Sequence, residues 1–290
     1  MNNDYLPIIE SALRRYLPEV GKLDGSAAES MKYSVLAPGK RVRPTLTLAF
    51  CDALGGDVEA ALPYACAVEF IHAYSLIHDD LPCMDDDSLR RGRPSNHIAF
   101  GEDIALLAGD ALQALAFEVM LSDEALGKSG VLGAKAAGIL AHECGVYGMV
   151  GGQVIDLQTE GKKPTLEVIG EMYSKKTGGL IRAACLMGAV LAGADEAALK
   201  NVRVYADNVG FVFQIIDDIL DIESDTETLG KPAGSDAENE KVNYVTALGI
   251  SESRILAEKM TNAACEALDN LNISDGFLRE LAQELLTRGK

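Results

Sequence analysis

The chain has 290 residues, a formal net charge of −18 and 48% hydrophobic residues, with no Trp. That length is enough for one large core, and so acidic a balance argues against nucleic-acid binding, which needs Lys and Arg spread over a face. Cys51, Cys66, Cys83, Cys144, Cys185 and Cys265 lack paired spacing and no charged-then-apolar leader follows Met1, so a reduced cytoplasmic setting is expected.

Few aromatics leave Ala and Leu to fill the core, and the alternating β-branched runs that mark strands are scarce. The expected fold is all-α, a single-domain bundle spanning residues 1–290 and surrounding a central cavity. Breakers at Pro38-Gly39, Gly55-Gly56, Pro82, Arg93-Pro94, residues 127–130, Gly151-Gly152, residues 161–164, Gly178-Gly179 and residues 230–234 divide it into about ten or more helices, with no second class of element. Gly and polar residues interrupt the apolar stretches short of the roughly 20 residues a membrane span needs, so stable membrane insertion is not expected.

Lys40, Arg41 and Arg43 follow the first breaker, where a loop at Gly39 could present backbone amides to an anion. Residues 64–77 are continuously helix-compatible, and Pro82 lacks the amide that would continue them, so this helix ends near Asp80 or Leu81. Asp79, Asp80, Asp85, Asp86 and Asp87 crowd that end, where the helix dipole is itself negative. Such a cluster calls for a cation. Carboxylates are hard oxygen donors that favour magnesium, which usually carries phosphate on its other side. Arg90, Arg91 and Arg93 come next, able either to fork onto phosphate oxygens or to pair with Asp86 and Asp87. His72 stands two helical turns before Asp79 on the same face.

Further on, Lys175, Lys176 and Thr177 precede Gly178-Gly179. Gln214, Asp217 and Asp221 then share one face of an otherwise apolar helix, beside Asp218. Carboxylates in so hydrophobic a helix are costly to bury unless paired or metal-bound, and two acid-lined helices facing inward are an established way to build a metal site. Lys231 and Lys241 belong to a polar, Gly- and Pro-containing segment, residues 224–244, expected to be a mobile loop over something.

These residues together resemble the trans-isoprenyl diphosphate synthases, most closely the bacterial-type farnesyl diphosphate synthases. The resemblance is carried by Gly39-Lys40-Arg41-Val42-Arg43-Pro44, by Glu69-Phe70-Ile71-His72-Ala73-Tyr74-Ser75-Leu76-Ile77-His78-Asp79-Asp80 running on to Arg91-Gly92-Arg93-Pro94, and by Gly109-Asp110-Ala111-Leu112. Gly152-Gln153-Val154-Ile155-Asp156, Lys176-Thr177-Gly178 and Gln214-Ile215-Ile216-Asp217-Asp218-Ile219-Leu220-Asp221, then Gly230-Lys231, complete it in family order. It implies that Asp79, Asp80, Asp85, Asp217 and Asp221 hold Mg2+, three ions with substrate bound, and that Arg90, Lys176, Thr177, Gln214 and Lys231 contact the allylic diphosphate. Gly39, Lys40, Arg43, His72 and Arg91 would bind isopentenyl diphosphate, and Arg288 and Lys290 could add charge nearby. It implies a homodimer as well.

The four residues between Asp80 and Asp85 suit both farnesyl-making enzymes and many plant-type geranylgeranyl synthases, leaving the latter as the nearest rival. A class I terpene cyclase would have no use for the basic 39–44 motif. A non-catalytic subunit would be expected to lose an Asp motif, and a calcium-binding acidic protein would carry the Asp-x-Asp-x-Asp-Gly loop. Product length points to Tyr74, about 7.5 Å down the helix from Asp79 at 1.5 Å per residue. At about 100° per residue it points roughly 140° from Asp79 whereas Ser75 is about 40° off, so Tyr74 is either a plug in the pocket or plain core. An aromatic there is the pattern of the farnesyl-making members.

Overall fold

The computed structural model describes residues 5–21, 25–223, 243–273 and 276–287. The first half of the chain forms α1 (Leu6–Tyr16), α2 (Gly25–Val35), α3 (Val42–Ala53), α4 (Val58–Asp79), α5 (Asn96–Phe100), α6 (Glu102–Met120) and α7 (Asp123–Cys144). After these come α8 (Met149–Thr159), α9 (Leu166–Lys176), α10 (Gly178–Leu191), α11 (Glu196–Glu223), α12 (Tyr244–Leu248), α13 (Ile250–Asn270) and α14 (Gly276–Thr287). The all-α expectation holds with one exception. Strands β1 (Leu89–Arg90) and β2 (Arg93–Pro94) pair antiparallel across a turn at Arg91 and Gly92, both at positive φ, the backbone that a two-residue hairpin of this twist requires. Two residues per strand are too few for a period-2 pattern to register in the sequence.

Helix α4 begins earlier than its apolar run suggests. Asp57 caps it by accepting from the Glu59 and Ala60 amides, so that Pro63 lies inside the helix instead of ahead of it. The resulting 22-residue helix is long and apolar enough to cross a membrane, but it is the core helix of the bundle, mostly buried against α3, α6 and α7. It ends at Asp79, as Pro82 dictates. Helix α10 packs on α3, α7 and α11 and also touches α4, so it ties the two Asp-bearing helices together.

Two breakers act differently from the expectation. Gly151 and Gly152 lie within α8, where the missing side chain is needed for packing: a Cβ on Gly152 would stand 2.2 Å from the Lys176 amide nitrogen. In α7 the chain kinks at Gly130, with φ 56° and ψ −135°, and then resumes. The expected loop over residues 224–244 lies outside the described residues up to 242.

Glycine also sets the α10–α3 approach, since a Cβ on Gly188 would fall 2.2 Å from the Thr47 carbonyl oxygen. Gly138, exposed on α7, has nothing within 4 Å of a Cβ. Gly188→Ala is therefore expected to destabilise the fold by about 1–3 kcal/mol through overpacking. Gly138→Ala should stabilise it by up to about 1 kcal/mol through helix propensity. Thermal and urea denaturation of the two variants checks both signs.

Candidate active site

The ends of α4 and α11 meet the loop after α4 around one pocket of about 330 Å³. Asp79, Asp85 and Asp87 line it from the first cluster, and Asp217, Asp218 and Asp221 from the second. Asp156 of α8 and Glu160 just after it add two more carboxylates, while Arg90 and Lys176 supply the positive charge. The two clusters do face each other.

Asp79 shows what this crowding does. Burial, with Asp85 adding to it and Lys176 opposing it, pushes its carboxyl up to about 6. Lys176 ion-pairs with Asp156 at 2.5 Å. Burial works against the lysine's charge, but Asp156 and Asp79 hold it and carry its pKa upward. Asp218 is satisfied within the protein: Tyr173 Oη donates to one of its oxygens and Gln214 Nε2 to the other at 2.9 Å. Gln214 in turn accepts from the Thr177 hydroxyl at 2.7 Å. Phe211 and Tyr244 pack on the Tyr173 ring, and the Tyr244 amide reaches its hydroxyl at 3.4 Å.

Among the expected magnesium ligands, Asp80 departs from the set. It is 2% exposed and lies outside the acidic pocket, with Arg90 Nε donating to both of its oxygens at 2.7 and 2.9 Å. A guanidinium already forked onto this buried carboxylate fixes the hairpin to the end of α4, so Asp80 is a structural partner of Arg90. Arg90 also reaches Asp87 at 3.3 Å and still borders the pocket.

A second cavity, about 430 Å³, shares Asp79, Lys176 and Thr177 with the acidic pocket and runs away from it. Its walls are mostly apolar: Leu76, Met84, Met149, Val150, Val154, Leu157 and Leu180. Tyr74 and Ser75 both line it together with Asp79, so side chains at different angles on α4 border the same cavity. The Tyr74 ring is 5% exposed and meets the His78 ring edge-on at 5.4 Å. His78 is held at 3.0 Å from the Leu106 carbonyl oxygen and backs onto Gly109, where a Cβ would collide with it at 2.1 Å.

A third cavity of about 530 Å³ is reached past Arg43 and His72, which line both it and the apolar chamber. Gly39, Lys40 and Arg91 complete its basic wall, so all five residues expected to hold the second diphosphate are together. Burial, aggravated by Arg91, lowers the Arg43 pKa, and burial beside Arg43 and Arg91 holds His72 well below the ordinary histidine value. Crowded cations and a neutral imidazole describe a site that gains stability from an anion. A Cβ on Gly39 would sit 2.6 Å from the Arg91 Nη1 that donates to the Pro38 carbonyl, so a side chain there would displace this guanidinium. Arg41 also borders this cavity, but it is buried at φ 48° and already paired with Glu10 and Glu69, both at 2.7 Å. Lys231, Lys241, Arg288 and Lys290 lie outside the described residues.

Sequence reasoning assigned no role to Asp156, Glu160, Tyr173, Glu143 or Arg182. The first three line the acidic pocket. Buried Arg182 donates to Glu143 at 3.0 Å and to the Ser174 carbonyl at 3.1 Å, anchoring the end of α9 just ahead of Lys176. Only Asp156 left a trace, in the Gly152-Gln153-Val154-Ile155-Asp156 string. The pocket's donor set suits a hard divalent cation. Among the described residues no three His, Cys, Asp or Glu side chains close into a ready cage.

Residues 25–271 match the family model described as Polyprenyl synthetase. A geranylgeranyl diphosphate synthase of Cyanophora paradoxa is 47% identical over 262 residues, covering 90% of this chain and 86% of that protein. Geranylgeranyl pyrophosphate synthase 7 of Arabidopsis thaliana is 45% identical, over 85% of this chain and 71% of its own. Among solved structures, an apo FPP/GFPP synthase from Zymomonas mobilis superposes with a TM-score of 0.84 at 34% identity, covering 97% and 95% of the two chains. A geranyltransferase from Helicobacter pylori, complexed with magnesium and isoprenyl diphosphate, gives 0.86 at 32% identity over 98% and 94%.

The sign of the pH dependence follows from Asp79. Its folded pKa of about 6 lies above the ordinary 3.8, so the folded state holds this proton more tightly than the unfolded chain. Its ionisation therefore destabilises the metal-free protein as pH rises between those values, and the pocket loses a cation ligand as pH falls through 6. Melting temperatures from pH 4 to 7 are expected to show a magnesium-plus-diphosphate stabilisation that grows across this window. Asp79→Asn should flatten the Asp79 component in both the metal-free and the loaded series.

Proposed function

The chain belongs to the polyprenyl synthetase family, and we propose that its reaction is the synthesis of farnesyl diphosphate. In this reading isopentenyl diphosphate is condensed with dimethylallyl diphosphate and then with the geranyl diphosphate so formed. Three joined cavities support it, one acidic, one apolar and one basic. They suit two diphosphates kept apart by a hydrocarbon chain.

Asp79, Asp85, Asp217 and Asp221 are the residues that would hold magnesium, which when bound neutralises charge developing on the departing diphosphate. Lys176 and Arg90 meet the same diphosphate at the rim. Their charges are already in place, so little reorganisation is needed as the carbon–oxygen bond lengthens. Thr177 sits where the acidic pocket joins the chamber and turns a hydroxyl dipole toward the allylic carbon. Apolar walls disfavour water beside the cation. Arg43, Lys40, Arg91 and neutral His72 hold the second diphosphate in the basic cavity, presenting its double bond from the opposite side. A carbon–carbon bond then forms, and a proton passes to the departing diphosphate.

The observation that carries the fifteen-carbon reading is Tyr74, a nearly buried aromatic in the chamber wall. Each further isoprene unit would gain about 3–4 kcal/mol of burial at roughly 0.8 per methylene, so growth continues unless it is blocked sterically. A twenty-carbon product is the second reading, favoured by the names of the relatives at 45–47% identity. Incubation with magnesium, isopentenyl diphosphate and each allylic starter, followed by chain-length analysis, decides between them. The expected main product is fifteen carbons for the wild type and twenty or more for Tyr74→Ala. A Tyr74→Ala protein that still stops at fifteen carbons at the wild-type rate rules out Tyr74 as the stop.

We also propose that the protein works as a homodimer in a reducing cytoplasm, where its free cysteines persist. Leu106 and Leu107 of α6 are about half exposed, and on the other flank of the chamber Val150, Val154 and Leu157 of α8 are exposed too. A second copy covering this face would close the chamber to water. Light scattering is expected to give twice the chain mass for the wild type and the monomer mass for Leu107→Arg.

A further inference from the structure

The Gly109-Asp110-Ala111-Leu112 string of α6 borders neither diphosphate cavity. Its first residue instead leaves a notch that the His78 imidazole fills, since a Cβ on Gly109 would stand 2.1 Å from Nε2, 2.4 Å from Cδ2 and 2.9 Å from Cε1 of that ring. The ring is also tied there. Nε2 lies 3.0 Å from the Leu106 carbonyl oxygen, and because a carbonyl only accepts, Nε2 is the nitrogen that carries the proton. Helix α6 thus fixes His78 twice, by shape and by a hydrogen bond.

The fixed ring meets Tyr74. Residues 74 and 78 are four apart on α4, and the side chains of a helix lean toward its N-terminus, so the imidazole lies over the turn that carries Tyr74. The two rings touch edge-on, 5.4 Å between centroids and 79° between planes. Both border the apolar chamber, as does Gln113, one turn beyond Gly109 on α6. Tyr74 has no polar anchor of its own, since among the described residues its hydroxyl makes no hydrogen bond. An aromatic ring on a helix chooses between two staggered χ1 wells, and beside an open chamber a growing chain presses it toward the other one. Contact with a tethered ring removes that choice.

We propose that His78 is the positioning residue of the product-length stop: seated against Gly109, its ring keeps Tyr74 turned into the chamber and so sets how long a chain fits, an inference that rests on the fifteen-carbon reading above. His78 borders neither diphosphate cavity and moves no proton. Its effect is on the choice among starters. A short allylic starter reacts before its tail reaches the stop, whereas farnesyl diphosphate, longer by one isoprene unit than geranyl diphosphate, has to displace it, so loosening the stop changes the long starter and spares the short one.

The test uses the full chain with magnesium and isopentenyl diphosphate, and compares dimethylallyl, geranyl and farnesyl diphosphate as starters. The proteins are the wild type, His78→Ala, His78→Phe, Tyr74→Ala and the double variant Tyr74→Ala with His78→Ala. His78→Ala should raise kcat/KM for the farnesyl starter, and with it the share of twenty-carbon product, by about tenfold or more while leaving the dimethylallyl starter nearly unchanged. His78→Phe, which keeps a ring against Gly109, should keep the wild-type product. Adding His78→Ala to Tyr74→Ala should lengthen the product no further, because two residues that act through one stop are not additive. Parallel losses for every starter in His78→Ala, wild-type selection among them, or further lengthening in the double variant overturn the inference while a longer product from Tyr74→Ala leaves the Tyr74 stop standing. A Tyr74→Ala protein that accepts the farnesyl starter no better than the wild type overturns the stop itself and this inference with it.

Discussion

Repulsion among carboxylates is the constraint on which the rest of the structure depends. Eight of them border one pocket, and two like charges about 4 Å apart cost about 4 kcal/mol at the effective dielectric of a protein surface. The fold offsets part of this internally, with Lys176 on Asp156, Arg90 on Asp80 and Asp87, and the Tyr173 hydroxyl on Asp218. The rest remains as a demand for external cations, and Asp79, its pKa raised first by burial and further by Asp85, shares it. The basic cavity has the opposite demand, with the pKa values of half-buried Arg43 and of Arg91 both lowered. If the two were adjacent they would collapse into ion pairs. The apolar chamber keeps them apart, and a prenyl chain can occupy the space between.

Holding that separation is the work of close backbone contacts around Thr177. Helices α9 and α10 join at this residue, and glycines on both sides let the surrounding helices approach it closely. Gly152 of α8 packs on Lys176, Gly210 of α11 comes to within 3.0 Å of the Gly178 Cα, and Gly179 faces the Glu143 carbonyl at 2.9 Å, the last two distances measured from an added Cβ. Arg182, joining Glu143 to the Ser174 carbonyl, fastens the same junction from below. Lys176 and Thr177 thus gain fixed positions at the boundary of the acidic pocket and the chamber, as charge stabilisation in a preorganised site requires.

Much of this was legible in the sequence because the signals are local. Helix formers without strand alternation gave the fold class, and Pro82 placed the end of α4 at Asp79. The i, i+3 and i+7 spacing of Gln214, Asp217 and Asp221 put three polar groups on one face, and all three line the acidic pocket. The residue types of the two Asp clusters fixed the choice of a hard cation, and the grouping of Lys40 and Arg43 indicated an anion site. Each of these follows from chain chemistry that acts over a turn or two of helix.

What only the tertiary structure decided depends on contacts between distant segments. Asp80 and Asp79 are equivalent in sequence, but a hairpin of two residues per strand carries Arg90 back onto Asp80 and leaves its neighbour facing the pocket. Tyr74 could have been core, and it borders a chamber that α4 and α8 line together. Gly151 and Gly152 read as a break until Lys176 is seen packed against them. Gln153 had no distinguishing spacing at all; its amide is buried without a partner because of where α8 packs it. Local patterns fix which groups a helix presents, whereas the partner each group meets depends on how the helices pack, and no short stretch of sequence encodes that.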